Sequence, residues 1–391
     1  MRRLSSQYVI TNSGAPLKRA VISADNDGTI LSIEENNGSL KESQSVEFYN
    51  GIIIPGFVNC HCHLELSHLK GSIPKGTGLG NFIMQIRENR TNLEACEISS
   101  AQSADNNLKN EGVVLCADVC NTPATFEIKK NSLICYHNFL EVFGADPQKA
   151  AKRLDEIREV AGKADKLNLK YSIVPHSVYA VSLSLLRLIK ERSKENRVTS
   201  IHFMETDAEA LLLADHSGPL KESYEASGLL PENPELPSDH ISAILDEVTA
   251  AGNLILVHNT FAKNRIVRNI RKRGNTYWCL CPGSNMYIEN RMPPVDMLMS
   301  EGCDIVVGTD SLASNNDLSI LTELKLIHKY FPAVTLEKLV RWATMNGARA
   351  LGEENNYGEI VPGKKPGLLL LENTDLKNFE LLPETTVTRL L

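Results

Sequence analysis

From Pro55 onward the chain alternates eight times between a short apolar run and a longer stretch of mostly helical pattern, and that rhythm limits the folds open to it. The runs are "GFVNCH", "GVVLCADV", "LICYHNFLEVFG", "LKYSIVPHS", "VTSIHFME", "NLILVHNT", "TYWCLCPGSN" and "CDIVVGTDS". Between two of them, "ISAILDEVTAAG" sets Ile241, Ile244, Leu245 and Val248 on one helical face and stops at Gly252, as a glycine C-cap would. "TLEKLVRWATMNGARALG" repeats the pattern with Leu336, Leu339, Val340 and Ala343. Strand and helix in alternation build a parallel sheet, and eight such units make an α/β (β/α)8 TIM barrel, the fold class expected here. The first fifty residues and the tail "YGEIVPGKKPGLLLLE" read instead as strands and turns, with Asp27-Gly28 as a hairpin turn. The expected plan is a small β-sandwich domain built from both chain termini, residues 1–55 plus 352–391, with the barrel, residues 56–351, inserted between them. A chain of 391 residues is long enough for both.

Charge and cysteine usage narrow the function classes. A formal net charge of −7 with no basic stripe argues against nucleic acid as a partner. No apolar stretch approaches a membrane span, and "MRRLSSQYVI" has no apolar run behind its arginines, so neither a membrane partner nor a signal peptide is expected. Nine cysteines without framework spacing fit reduced thiols and a cytoplasmic location. The expected partner is a small-molecule substrate, with a homo-oligomer compatible with the fold.

In a barrel of this kind, chemistry sits at the C-terminal ends of the strands. The run ends supply His61 and His63, then His176, then His202 and Glu205, then His258, and last Asp310. Three histidines and a carboxylate are a normal ligand set for a divalent ion that keeps a position open for water. In "NCHCHLEL" side chains alternate along an extended strand, so His61 and His63 share one face and Cys60 and Cys62 the other. Because the other run ends offer histidines and an aspartate, the histidine pair is the metal pair. Cys60 and Cys62 are then expected to face the surrounding helices as small hydrophobes. Glu65 falls on the histidine face. Glu205, three residues past His202, can protonate a ring nitrogen and then pass a proton to a departing amine, although "ETDAEALLLA" also fits an acid at a helix N-terminus.

"PGFVNCHCHLELS", "PHSVYAVS", "IHFMET", "LVHNT", "CPGSN" and "VGTDSLASN", in this order, resemble the amidohydrolase superfamily, in its deaminase and chlorohydrolase branch. The resemblance implies one divalent metal ion, Zn2+ (or Fe2+), held by His61, His63, His202 and Asp310. It implies Glu205 as proton shuttle, His258 as the residue orienting the hydrolytic water, Asp310 as acceptor of that water's proton, and His176 as a substrate contact. Binuclear members carry a carboxylated lysine after strand four, and "IVPHS" has none. Within the branch, "HCHLELS" and "METDAEALLLADHSGPL" look most like the aminodeoxyfutalosine deaminases. The activity implied is hydrolytic deamination of an adenine-type nucleoside. The alternative on the same scaffold is cleavage of a cyclic amide C–N or an aryl C–Cl bond. Two departures stand out: Gly283 where that group has an arginine in "CPRSN", and Pro366-Gly367 where relatives carry Ala-Asp. The first removes a bidentate anchor for a carboxylate. The glycines of "HLKGSIPKGTGLGNFIMQIREN" suggest a mobile loop over the barrel mouth, with Phe82 stacking on substrate.

Overall fold

The computed structural model describes residues 1–35, 38–39, 45–89, 94–232, 234–248 and 252–391. Eight parallel strands carry the apolar runs: β1 (Phe57–Cys62), β2 (Val113–Cys120), β3 (Cys135–Val142), β4 (Lys170–Pro175), β5 (Val198–Phe203), β6 (Asn253–His258), β7 (Thr276–Leu280) and β8 (Asp304–Val307). They hydrogen-bond in sequence order as two four-stranded parallel sheets, β1 to β4 and β5 to β8. Isolated bridges join the sheets at both seams. Ser177 meets His202 past the end of β4, and Cys62 meets Asp310 past the end of β8. Helices lie between consecutive strands, giving a TIM-barrel-type α/β fold.

Strand faces divide the apolar residues into two layers. Val58, Leu115, Ala117, Phe139, Val174, Ile255, Val257, Cys279 and Val306, drawn from β1 to β4 and β6 to β8, pack on one another as an inner cluster, with Ala348, Ala350 and Leu351 also in it. Phe57, Cys116, Leu140, Ile201, Leu256, Leu280 and Ile305 face the other way, into the layer shared with the helices. Gly347, on the helix Met345–Ala350, packs closely against β1. A Cβ there would stand 2.8 Å from the Val58 side chain and 3.1 Å from Cys60 Sγ.

That contact exposes a departure from the expected alternation. Cys60 belongs to the inner cluster, and only Cys62 faces the helices. The β1–β2 register shifts between Asn59 and Cys62, and this irregularity breaks the period of two just before the histidines.

Both chain ends enter one seven-stranded sheet. Leu368–Glu372 pairs antiparallel with Val46–Pro55, which pairs parallel with Arg2–Val9. Val21–Ala24 and Ile30–Glu34 form the hairpin through Asp27-Gly28. Val46–Pro55 runs into β1 with only Gly56 between them, so the terminal sheet is coupled directly to the strand that carries the histidine pair.

Two helical expectations need correction. The stretch 335–352 is two helices, Leu336–Ala343 and Met345–Ala350, broken at Thr344 (φ −135°, ψ −84°). The stretch 241–252 is a short turn, His240–Ser242, running into a wider turn over Ala243–Glu247, and residues 249–251 lie outside the described residues. No helix among the described residues is long and apolar enough to cross a membrane.

Candidate metal centre

At the C-terminal ends of the strands the predicted side chains converge. His63 Nε2 lies 3.3 Å from His202 Nε2, and Asp310 Oδ1 lies 3.5 Å from His61 Nε2 and 3.6 Å from His63 Nε2. Ligands held about 2.0–2.2 Å from a tetrahedral ion stand roughly 3.3–3.6 Å apart. These three separations fall in that range. All four residues are at most 6% exposed. Among the described residues, His61 has no hydrogen-bond partner on either ring nitrogen, and His258 has none on Nε2. Buried polar atoms without partners are rare, and donors aimed at a shared point account for these.

Three of these four residues are held by neighbours outside the group. The His61 carbonyl accepts from the amides of Thr309 and Asp310, both at 3.0 Å, which brings the ends of β1 and β8 together. Asn59 adds a clamp, its Oδ1 accepting from Thr309 N–H at 3.2 Å and its Nδ2 donating to Thr309 Oγ1 at 2.8 Å. His202 Nδ1–H donates to the His176 carbonyl at 2.8 Å, leaving Nε2 as the lone-pair nitrogen. Asp310 Oδ2 accepts from Ser284 Oγ at 2.5 Å and Ser314 Oγ at 2.8 Å, which leaves Oδ1 for the centre. Asp310 (φ 58°) and His258 (φ 76°) both adopt left-handed backbone, which non-glycine residues accept only at a cost.

The electrostatics suit a cation. Burial holds His63 below the usual imidazole range and His202 well below it, each reinforced by neighbouring imidazoles, and His258 lies near 4 for the same first reason. Burial alone would raise Asp310, but the facing imidazoles of His61, His63 and His258 hold it well below the carboxylate range. The directions at His63 and His202 favour neutral imidazoles and that at Asp310 an ionised carboxylate, the forms that ligation needs.

Glu205 and His258 face each other beside this set. Glu205 Oε1 is 3.6 Å from His258 Nε2, while His258 Nδ1–H donates to Asn285 Oδ1 at 3.0 Å. Burial, then the charges of Asp310, Glu209 and Glu289, push the Glu205 carboxyl well above its ordinary value, which favours its protonated form. His176 Nδ1–H donates to Glu141 Oε2 at 2.6 Å.

A cavity of about 490 Å3 opens over the group, lined by His63, His176, His202, Glu205, His258 and Asp310 on one side. Phe82, Leu79, Ile83 and Ile86 supply an apolar wall. They belong to the helix Gly78–Asn89, so the second half of the segment expected to be a loop is helical, and Phe82 is 6% exposed. Gly283 is not among the lining residues. A Cβ there would meet Glu323 Oε1 at 2.6 Å and Asn315 at 2.7 Å, so Glu323 fills the room a side chain would need. The expectation that Gly283 alters a substrate anchor is therefore replaced by a structural one. Glu65 joins the cavity wall, accepting from Thr122 Oγ1 at 3.0 Å.

The residues that hold the ligands and the neighbouring imidazoles of His176 and His258, namely Asn59, Glu141, Ser284, Asn285 and Ser314, carry no expected role from the sequence. Asn59, Ser284, Asn285 and Ser314 lie inside motifs that identify the resemblance, and Glu141 closes the third apolar run; these positions were the available signal.

Residues 52–390 match the model of a family described as "Amidohydrolase family". A 5-methylthioadenosine/S-adenosylhomocysteine deaminase of Thermococcus kodakarensis is 26% identical over 376 residues, covering 92% of this chain and 82% of that protein. The crystal structure of Helicobacter pylori aminofutalosine deaminase in complex with methylthio-coformycin superimposes with a TM-score of 0.80 at 24% identity, covering 96% of this chain and 93% of that one. An atrazine chlorohydrolase of Arthrobacter aurescens complexed with zinc gives 0.74 at 16% identity, covering 98% and 89%.

Proposed function

The chain belongs to the amidohydrolase family, and within it we propose a metal-dependent hydrolytic deaminase that acts on an adenine-type nucleoside such as aminodeoxyfutalosine. The observation that carries this reading is the convergence of His61, His63, His202, His258 and Asp310 at the strand ends, with the buried carboxyl of Glu205 3.6 Å from the His258 imidazole. We read the eight strands as one closed barrel over residues 56–351, and the terminal sheet, residues 1–55 plus 352–391, as a small β-sandwich domain. A cytoplasmic location is in keeping with eight cysteines free of disulfides among the described residues.

One divalent ion, zinc in this reading, would be held by His61, His63, His202 and Asp310 and would supply an acidified water at neutral pH. Asp310, its Oδ2 steadied by Ser284 and Ser314, would be the base for that water's proton. His258, with Nδ1–H committed to Asn285, turns the lone pair of Nε2 to the reacting oxygen and orients it by accepting a hydrogen bond from its O–H. Glu205 gives its proton to a ring nitrogen of the heterocycle, so the carbon bearing the amine accepts the oxygen. The proton held on Asp310 then goes to the amine, which leaves as ammonia, and Glu205 is reprotonated from the new hydroxyl. His176 is held by Glu141 facing the cavity and contacts the substrate, while Phe82 covers its apolar face.

The test is ammonia release across aminated purines, pyrimidines, nucleosides and triazines, with a chelator-treated control. Chelator-sensitive ammonia from adenine nucleosides is the expected result. If metal-loaded protein releases none from any of these, the deaminase reading fails, and cyclic amides and aryl chlorides become the substrates to screen.

A further inference from the structure

Glu209 is fully buried, one turn beyond Glu205. Its carboxylate gathers four donors. Oε1 accepts from the amides of Glu205 at 2.6 Å and Thr206 at 3.1 Å, and Oε2 accepts from the amide of Met204 at 3.1 Å and from His240 Nε2 at 3.0 Å. Three consecutive backbone N–H groups thus converge on one side chain, at the point where β5 ends and the helix Ala208–Asp215 begins. Met204, the first of the three, sits at φ 49°, in the left-handed region. That conformation turns the chain so that Glu205, the next residue, lines the cavity facing His258. His240, 5% exposed, packs edge-on against Phe203 with ring centroids 5.3 Å apart, which fixes the fourth donor.

This arrangement differs from an ordinary helix cap. The amides it satisfies precede the helix, and the carboxylate comes from inside it. A turn closed only by backbone bonds could relax Met204 toward commoner conformations and swing Glu205 away. Four charge-assisted bonds to one buried carboxylate make the left-handed turn the arrangement in which no group is left without a partner.

We propose that Glu209, held by His240, is a positioning residue for Glu205, setting the left-handed turn at Met204 that aims the Glu205 carboxyl into the cavity. The inference rests on the reading of Glu205 as the proton donor. Glu209 touches no reacting atom. Its removal should therefore lower kcat while leaving KM and metal content alone.

The experiment compares Glu209→Gln, Glu205→Gln, the double variant and His240→Leu. Each is measured for zinc per chain, for kcat and KM, and for amide hydrogen exchange over residues 203–207. The substrate is whichever of adenosine, 5′-deoxyadenosine and 5′-methylthioadenosine the wild-type protein turns over fastest. In Glu209→Gln an –NH2 replaces one accepting oxygen and faces N–H donors. The expected result is a kcat at least about ten-fold lower, KM within about two-fold, one zinc retained and faster exchange at residues 204–206. On the Glu205→Gln background the same change should cost nothing further, because its effect runs through Glu205. His240→Leu removes one donor of four and should give a smaller loss in the same direction, so the test survives if Glu209→Gln does not fold.

An inactive Glu205→Gln beside a Glu209→Gln that turns over like wild type would overturn the inference alone. So would equal losses from Glu209→Gln on both backgrounds. Full turnover by Glu205→Gln would overturn the reading of Glu205 itself, and the inference with it.

Discussion

Replacing Lys129 by Met should destabilise the protein by about 3–5 kcal/mol, the usual cost of leaving one partner of a buried ion pair uncompensated. Lys129, on the helix Phe126–Asn131, has a side chain that is 0% exposed, as is that of Asp118 on β2, and their Nζ–Oδ2 separation is 2.5 Å. Burial alone would lower the lysine, yet Asp118 raises it, so the ammonium is held charged in the interior. Asn138 Oδ1 accepts a second bond from Nζ at 2.7 Å. Asp118 also braces the segment after β1, since its Oδ1 accepts from the Leu64 amide at 2.7 Å, immediately after His63. Unfolding entropy near 2.1 cal/mol/K per residue gives roughly 0.8 kcal/mol/K for 391 residues, so the loss corresponds to a Tm lower by about 4–6 °C. Pairing Lys129→Met with Asp118→Asn removes the stranded charge but keeps an acceptor for Leu64, and should recover most of the loss. The assay is thermal unfolding followed by circular dichroism at one fixed excess of zinc. A single variant melting within about 1 °C of wild type, or a double variant as unstable as the single, would show the pair does not carry the weight assigned to it.

Three other outcomes follow from neighbouring features. The Glu323 carboxyl is pushed up to about 8, first by burial, although the Gly283 amide at 2.7 Å and the Asn315 amide at 2.8 Å pull the other way. The folded state therefore keeps a proton that the unfolded chain releases between about pH 4.5 and 8, and stability from this group falls as pH rises through that window. Urea unfolding at several pH values should show Glu323→Gln losing this decline, a relative gain on the order of a few kcal/mol by pH 8; parallel curves for the two proteins would contradict it. Ser314→Ala removes one of two hydroxyl donors to Asp310 and should weaken zinc affinity about 10–100-fold in a competitive chelator titration, with unaltered affinity counting against the role given to Ser314. Phe82→Ala strips the cavity of an aromatic wall, and kcat/KM on the true substrate should fall roughly ten-fold or more; an unchanged value would remove Phe82 from the binding site.

The alternation of apolar runs and helical stretches was enough to place the strands, because a parallel strand buried on both faces leaves an apolar signature. The same runs pointed to His61, His63, His176, His202, His258 and Asp310, since a strand's last polar residue falls at the barrel mouth. The inward turn of Cys60 was not legible. It depends on a register shift against β2, and pairing register is a property of two segments rather than one. Gly283 misled for a related reason: the atoms that fill its side-chain room come from Glu323, forty residues away. Glu209 read as one acid in an ordinary helix start. Its role comes from Met204 at positive φ and from His240, which meets it only in the folded chain. The helix Gly78–Asn89 was obscured by three glycines near its start, at 76, 78 and 80.

The central claim is that one metal ion, held by His61, His63, His202 and Asp310, makes this protein a deaminase. Its most direct test is to strip the protein with a chelator, restore zinc in sub-stoichiometric steps, and follow ammonia release from an adenine nucleoside against zinc bound per chain. Activity that starts near zero, rises linearly and saturates at one equivalent is the predicted result. Turnover that persists in the stripped protein, or that climbs to a second equivalent before saturating, would contradict it.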